Sequence, residues 1–140
     1  MIGNDIIQAD FITAMKAATT ITAVLASAAE VKEDQYQGTD FGLPAIRFAL
    51  AQQTPLPAES HCDHAKCNFA VRCYSEEASS KQADQIATAV NNFLHGYNIQ
   101  GATWYGWVTN TSLVGATRAS ERLWRAEVVC ECSVYPRTSP

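Results

Sequence analysis

The chain has 140 residues, enough for one domain that buries about two-thirds of its unfolded surface. Hydrophobic residues make up 47%, an ordinary share for a globular core that needs no disulfide or metal to hold it. A net charge of −4 excludes a protein that wraps nucleic acid, because neutralising phosphates takes a basic face, although DNA can still pass nearby.

The N-terminal MIGNDIIQADF lacks the basic start and apolar run of a signal peptide. Asp10, Lys16 and several threonines interrupt Ile6 to Ala29, so no membrane span is expected there. Without an export signal, the five cysteines are expected as reduced thiols acting as small hydrophobes.

Asp5 is placed to cap a first helix running to about Ala18, with Gln8 at the capping-box position. Ile7, Phe11, Met15 and Ala18 form its buried stripe. Thr19 or Thr20 caps a second short helical piece, Ile21 to Ser27, and the polar Glu30 to Gly42 reads as a long loop or arm that Pro44 ends. Ile46, Phe48 and Leu50 alternate with Ala45, Arg47 and Ala49, which predicts a strand. Pro55 and Pro57 then make Gln52 to His61 a stiff extended loop.

Cys67, Phe69, Val71 and Cys73 alternate with Asn68, Ala70, Arg72 and Tyr74 in a second strand. Ser75 stands where an N-cap is expected, with Glu76 and Glu77 in the first helical turn, where the helix dipole favours negative charge. Ala83, Ile86, Ala87, Val90, Phe93, Leu94 and Tyr97 recur at spacings of three and four, and Gly96 supplies a left-handed stop. A short loop to Gly101 leads into a strand from about Ala102 to Thr111, and Leu113 to Ser120 reads as a hairpin tip. The last strand places Trp124, Ala126, Val128, Cys130, Cys132 and Val134 on one face, and Arg125, Glu127, Glu131 and Ser133 on the other. Tyr135-Pro136 closes it.

The order αββαββ predicts an α+β fold: a single four-stranded antiparallel sheet of order 1-2-4-3 with helices packed on one face. The whole chain, 1–140, is expected as one domain with an ordered core of about 5–136 and a short tail, 137–140. Cys73, Cys130 and Cys132 are expected to face the helices.

One segment has the look of chemistry. His61, Cys62, His64 and Cys67 put four possible soft-metal ligands within seven residues. Structural zinc sites, however, tie together two ligand pairs far apart in sequence, and no second pair follows. Strand geometry also turns Cys67 to the core and His64 to the other face, so the expectation is an ordinary loop entering a strand, with no metal and no cofactor. A triad of Cys62 or Cys67 with His64 and Asp63 is disfavoured for a related reason, since neighbours on one short loop rarely reach the angles catalysis needs. Phosphate loops, HExxH and nucleophile elbows are absent from the sequence, and no catalytic residue is assigned.

The residues expected to touch partners lie later in the chain. Tyr105 and Trp107 fall on the second face of an edge strand, where apolar area marks contact. Leu113 and Val114 are two adjacent aliphatics at a tip that should be polar, and Arg118 stands beside them in the basic cluster with Arg122 and Arg125. The ordinary reading of that cluster is a solvated hairpin with salt bridges to Glu121 and Glu127.

The layout, with its capped helix, the Leu43-Pro44-Ala45-Ile46-Arg47-Phe48 strand start, Val71-Arg72-Cys73-Tyr74-Ser75 running to Gln82-Ala83-Asp84-Gln85-Ile86-Ala87, and the close at Tyr135-Pro136, resembles the tail terminator, or tail completion, proteins of long-tailed bacteriophages. The resemblance runs from about Ile6 to Tyr135 and rests on order and pattern. It implies a non-enzymatic structural virion protein, assembled in the host bacterial cytoplasm and located at the tail-neck interface. The implied form is a homohexameric ring that caps the finished tail tube and joins it to the head-tail connector or neck protein, meeting the sheath terminator region where the tail contracts. Genome DNA would pass through such a ring without specific binding, and no membrane is involved. The alternatives are a neck or head-completion adaptor, a small zinc-binding module on the His/Cys segment, and a small α+β enzyme.

Overall fold

The computed structural model describes residues 2–25, 30–33, 43–55, 64–120 and 123–137. Among these residues, six strands form one sheet: β1 (Val31–Glu33), β2 (Ala45–Pro55), β3 (Ala65–Ser75), β4 (Asn98–Gln100), β5 (Trp104–Ser120) and β6 (Leu123–Pro136), in the order β1-β2-β3-β6-β5-β4. Among the described residues, three helices accompany it: α1 (Asn4–Ala17), α2 (Thr19–Thr22) and α3 (Lys81–Leu94).

The expected four-stranded antiparallel sheet is therefore wrong, because the sheet has six strands and is mixed. β1 runs parallel to β2, with Val31 opposite Ile46 and Glu33 opposite Phe48, inside the segment expected to be a loop. β4 pairs antiparallel with β5 where a short loop was expected. Both are three residues long, too short to show an alternation, and each is fixed by one buried aliphatic, Val31 or Ile99.

Two long strands outrun their predicted ends. β2 continues to Pro55 through an irregularity between Leu50 and Gln52, and Pro55 is tolerated at the strand terminus. β5 runs on to Ser120, so the expected hairpin tip is strand, paired Leu113 to Val128 and Val114 to Glu127. Register shifts between Val114 and Thr117 and between Arg118 and Ser120 absorb the Gly115 region that imitates a turn.

Helix starts shift as well. Gly3, not Asp5, occupies the N-cap of α1, and Asp5 lies in the first turn. Ser75 remains in β3 opposite Trp124, and its Oγ accepts the Glu77 N–H at 3.2 Å while donating to Gln82 Oε1 at 2.5 Å. α3 begins only at Lys81, so Asp84 rather than Glu76 or Glu77 is its first-turn acid. The stop is as expected, with Gly96 at φ +70°, a conformation that costs glycine little.

All three helices contribute to one core. Ile7, Phe11 and Met15 of α1, Ile21 of α2, and Ala83, Ile86, Ala87, Val90 and Leu94 of α3 are buried with Phe48, Phe69, Val71, Val128 and Val134 from the sheet. Phe11 anchors the α1 end, with its ring 5.5 Å from Phe48, 4.8 Å from Phe69 and 6.1 Å from Trp104. Among the described residues, no helix is long and apolar enough to cross a membrane.

Candidate interaction surface

Adjacent residues on a strand point to opposite faces, and this sorts the exposed side chains of β5. Leu113 shares a row with buried Val128 and so lies on the helix side, yet it is 48% exposed. Val114 lies on the outer side, 45% exposed, and Val129 of β6, opposite Ser112, is 43% exposed on that same side. Large aliphatics left in water on both faces of one strand gain nothing from solvent, which makes this strip a candidate contact surface.

α3 holds this half of β5 in place. Asp84 Oδ1 accepts the Ala116 N–H at 3.0 Å, exactly where the register shifts would otherwise leave that donor unpaired in the ladder, and His95 Nδ1 lies 3.1 Å from Thr111 Oγ1. On the sheet edge, β4 pairs only with Tyr105 to Trp107, and the Val108 N–H reaches Tyr97 O at 2.9 Å. Beyond Val108, among the described residues, no strand lies beside β5 on the side away from β6.

The expected contact residues fall into two groups. Leu113 and Val114 belong with Arg118, whose guanidinium lies over the Trp124 ring at 5.2 Å. Tyr105 and Trp107 lie at the other end of β5, on the outer face, with ring centroids 5.4 and 5.1 Å from Tyr135. His64 stacks on Tyr135 at 4.9 Å, and Arg137 covers Tyr105 at 5.5 Å. Six residues of strand separate Trp107 from Leu113, roughly 20 Å, so these are two patches rather than one.

The two described members of the His/Cys segment, His64 and Cys67, lie apart. His61 and Cys62 lie outside the described residues. Of the other two, His64 belongs to the outer aromatic group, while Cys67 is fully buried in the core opposite Cys132. Among the described residues, no group of three or more His, Cys, Asp or Glu side chains is placed to hold a metal. Burial, and secondarily Cys67, pushes the Cys130 thiol up to about 12, and burial with Glu127 nearby raises Cys73 strongly. A hydrogen bond with Cys67, then burial, raises Cys132 strongly too. Protonated, buried thiols are poor nucleophiles and poor metal ligands.

Two shallow clefts flank the helices. One, lined by Glu77, Ser79, Lys81, Gln82 and Gln85, is open and polar; the other includes Asp10, whose carboxylate already accepts the Trp104 indole N–H at 2.6 Å.

Val129, Tyr135 and Asp84 were not foreseen as parts of these surfaces. Val129 was legible, since it interrupts the polar face made by Arg125, Glu127, Glu131 and Ser133. Asp84 was not, because its role depends on a register shift 32 residues away.

A family profile described as tail completion protein gp17 matches residues 9–134. A chain of the virion of a native gene transfer agent particle has a similar fold, with a TM-score of 0.68 and 16% identity, over 94% of this chain and 96% of that one. A second solved structure matches with a TM-score of 0.57 and 19% identity, over 100% of this chain and 99% of that one. No curated protein matches the sequence.

Proposed function

The chain belongs to the tail completion protein gp17 family, and from that premise we propose that it closes the end of a phage-type tail as a ring of six copies. Family membership makes it a structural, virion-associated tail protein. The proposal adds that the ring caps the tail tube, joins it to the head-tail connector, meets the sheath terminator region if the tail contracts, and performs no catalysis. Genome DNA passes through it without specific binding.

The observation that carries this reading is the exposed aliphatic set on β5 and β6, Leu113, Val114 and Val129, displayed on a strand held by α3 rather than on a mobile turn. Such a rigid apolar strip suits repeated docking, because little freedom is lost on contact. A tube end imposes its rotational symmetry on whatever covers it, and a closed ring satisfies that requirement with one kind of contact. The outer aromatic patch around Tyr135 is a second contact surface in this reading, toward the tube or the connector.

The test is assembly. Light scattering and negative-stain imaging, with and without tail tube protein, should show six-fold rings or capped tubes. A strict monomer that leaves tubes uncapped at high concentration would overturn the proposal. Rings that bind connector and ignore tubes would instead favour a neck or head-completion adaptor.

A further inference from the structure

The two ends of the sheet are stepped, and the steps are complementary. β1 covers β2 only opposite Ile46 to Phe48, leaving Ala49 to Pro55 without a neighbour on that side among the described residues. At the far end, β4 covers β5 only opposite Tyr105 to Trp107, leaving the strand from Thr109 onward equally bare.

Residue rows across the sheet fix where each step lies. One row runs Glu33, Phe48, Val71, Val128, Leu113, and the next runs Lys32, Arg47, Arg72, Glu127, Val114. β1 therefore projects at the level where β5 is bare. Toward the other end of the strands the rows run Pro55, Ala65, Val134, Gly106, Ile99 and Thr54, Lys66, Ser133, Trp107, Asn98, so β4 projects at the level where β2 is bare. Among the described residues, each projecting strand is matched by a notch at the opposite edge.

We propose that neighbouring copies join edge to edge, with β1 of one copy entering the notch beside β5 of the next, and β4 of that second copy entering the notch beside β2 of the first. β2 is antiparallel to β3, β3 to β6 and β6 to β5, so β1, parallel to β2, meets β5 as an antiparallel strand. Backbone N–H and C=O groups on the edge find partners this way. The chemistry of β5 permits it. From Val108 to Thr117 the strand carries no charged residue and no proline, the devices that ordinarily keep an edge from pairing.

A second copy is the fitting occupant because the molecule itself supplies the complementary step, at the matching level. The contact is head to tail, so it either closes into a ring or continues as a filament, and sheet twist bends the succession of copies. The aliphatic Leu113 then lies level with Glu33 of the neighbour, on the helix side of both sheets, and its side chain covers the edge of the new pair. This deepens the ring proposal and rests on copies associating.

The test is proximity across copies. Leu113→Cys and Glu33→Cys are prepared in separate chains, each in a Cys62→Ser background, and mixed with a bismaleimide that spans only neighbouring strands. Cys67, Cys73, Cys130 and Cys132 are buried and remain unlabelled. The mixture should yield a covalent dimer containing one chain of each kind, and a chain carrying both changes should yield a ladder of higher species. Neither single variant should crosslink to itself. Ser112→Lys, at an exposed position, should keep the circular dichroism of the parent and lose assembly. Crosslinking of the Leu113→Cys variant to itself would overturn the proposal in favour of a two-fold contact. Rings that form but give no mixed crosslink would overturn the edge contact while leaving the ring intact. Absence of any assembly by the parent chain would remove both.

Discussion

Trp104 donates its indole N–H to Asp10 Oδ2 at 2.6 Å, tying the middle of α1 to the start of β5 across 94 residues of sequence. The indole is fully buried, so without this acceptor its N–H would be desolvated and unpaired. Asp10→Ala should therefore cost about 1.5–3 kcal/mol, the range for a hydrogen bond to a charged group. Asp10→Asn keeps an acceptor and should cost less. Thermal melts of both variants check the order, and equal losses would show that the carboxylate's charge and the hydrogen bond contribute nothing separable.

Gly106 tests the other end of that junction. A Cβ built there would stand 2.1 Å from the Ser133 carbonyl oxygen and 3.1 Å from the Trp104 ring. Backbone of β6 cannot retreat without opening the β5–β6 ladder. Gly106→Ala should thus destabilise by about 1–3 kcal/mol or more, as overpacking does. Gly115→Ala, with open space around the new methyl, should be close to neutral. Urea titrations of the pair decide whether the close approach or the general loss of glycine matters.

The buried thiols make a prediction about alkaline pH. Burial raises Cys130 from 9.0 to about 12, and Cys73 and Cys132 are raised as well. In the folded state these thiols keep protons that the unfolded chain releases above pH 9, so alkali favours unfolding. Stability should be whole below about pH 9 and fall as pH rises toward 12, each fully linked thiol adding at most about 1.4 kcal/mol per pH unit. Cys130→Ala should flatten that decline between pH 9 and 11 in chemical denaturation. An unchanged slope would mean that the thiols ionise alike in both states.

Much of this fold was readable wherever a pattern had room to repeat. The α3 stripe from Ala83 to Leu94 and the alternations of β3 and β6 each span ten or more residues, and their buried apolar positions coincide with the predicted faces. Where the sequence misled, a local signal competed with a distant one. Ser75 with two glutamates resembles a helix start, yet pairing with Trp124 holds it in the sheet. Gly115 among threonines and serines resembles a turn, yet β6 supplies a partner along the whole segment and bulges take up the excess. β1 and β4 could not be read at all, because three residues carry no period and their pairing partners lie elsewhere in the chain. The candidate surface was legible as an oddity of composition, Leu113 beside Val114, while its placement on a strand edge was not.

The His/Cys segment yields a prediction through the divergence of its described members. His64 stacks on Tyr135 outside the sheet, and Cys67 faces Cys132 in the core. A structural zinc contributes on the order of 10 kcal/mol to folding, so its presence would be unmistakable in a melt. Protein purified without chelator should carry little zinc, and Cys62→Ser combined with His64→Ala should shift the melting temperature only slightly, by the loss of one ring contact. One tightly held zinc per chain, with unfolding on chelation, would overturn this expectation.

The decisive variant for function is Leu113→Ser with Val114→Ser. Both side chains are nearly half exposed in the single copy, so their removal takes little burial from the monomer, and circular dichroism and melting should stay close to those of the parent. In an assembled ring the same residues would be covered. Burying a Leu or Val side chain is worth roughly 1.5–3 kcal/mol, and each ring repeats the contact at every junction. Because a docked copy positions the next one, losses at the junctions compound around the ring. The double variant should therefore remain a folded monomer that neither forms rings nor caps tubes in scattering and imaging. Unfolding would show that these residues support the α3–β5 packing instead. A folded variant that still caps tubes would move the contact away from this strand, with the aromatic patch of Tyr105, Trp107 and Tyr135 as the next surface to alter.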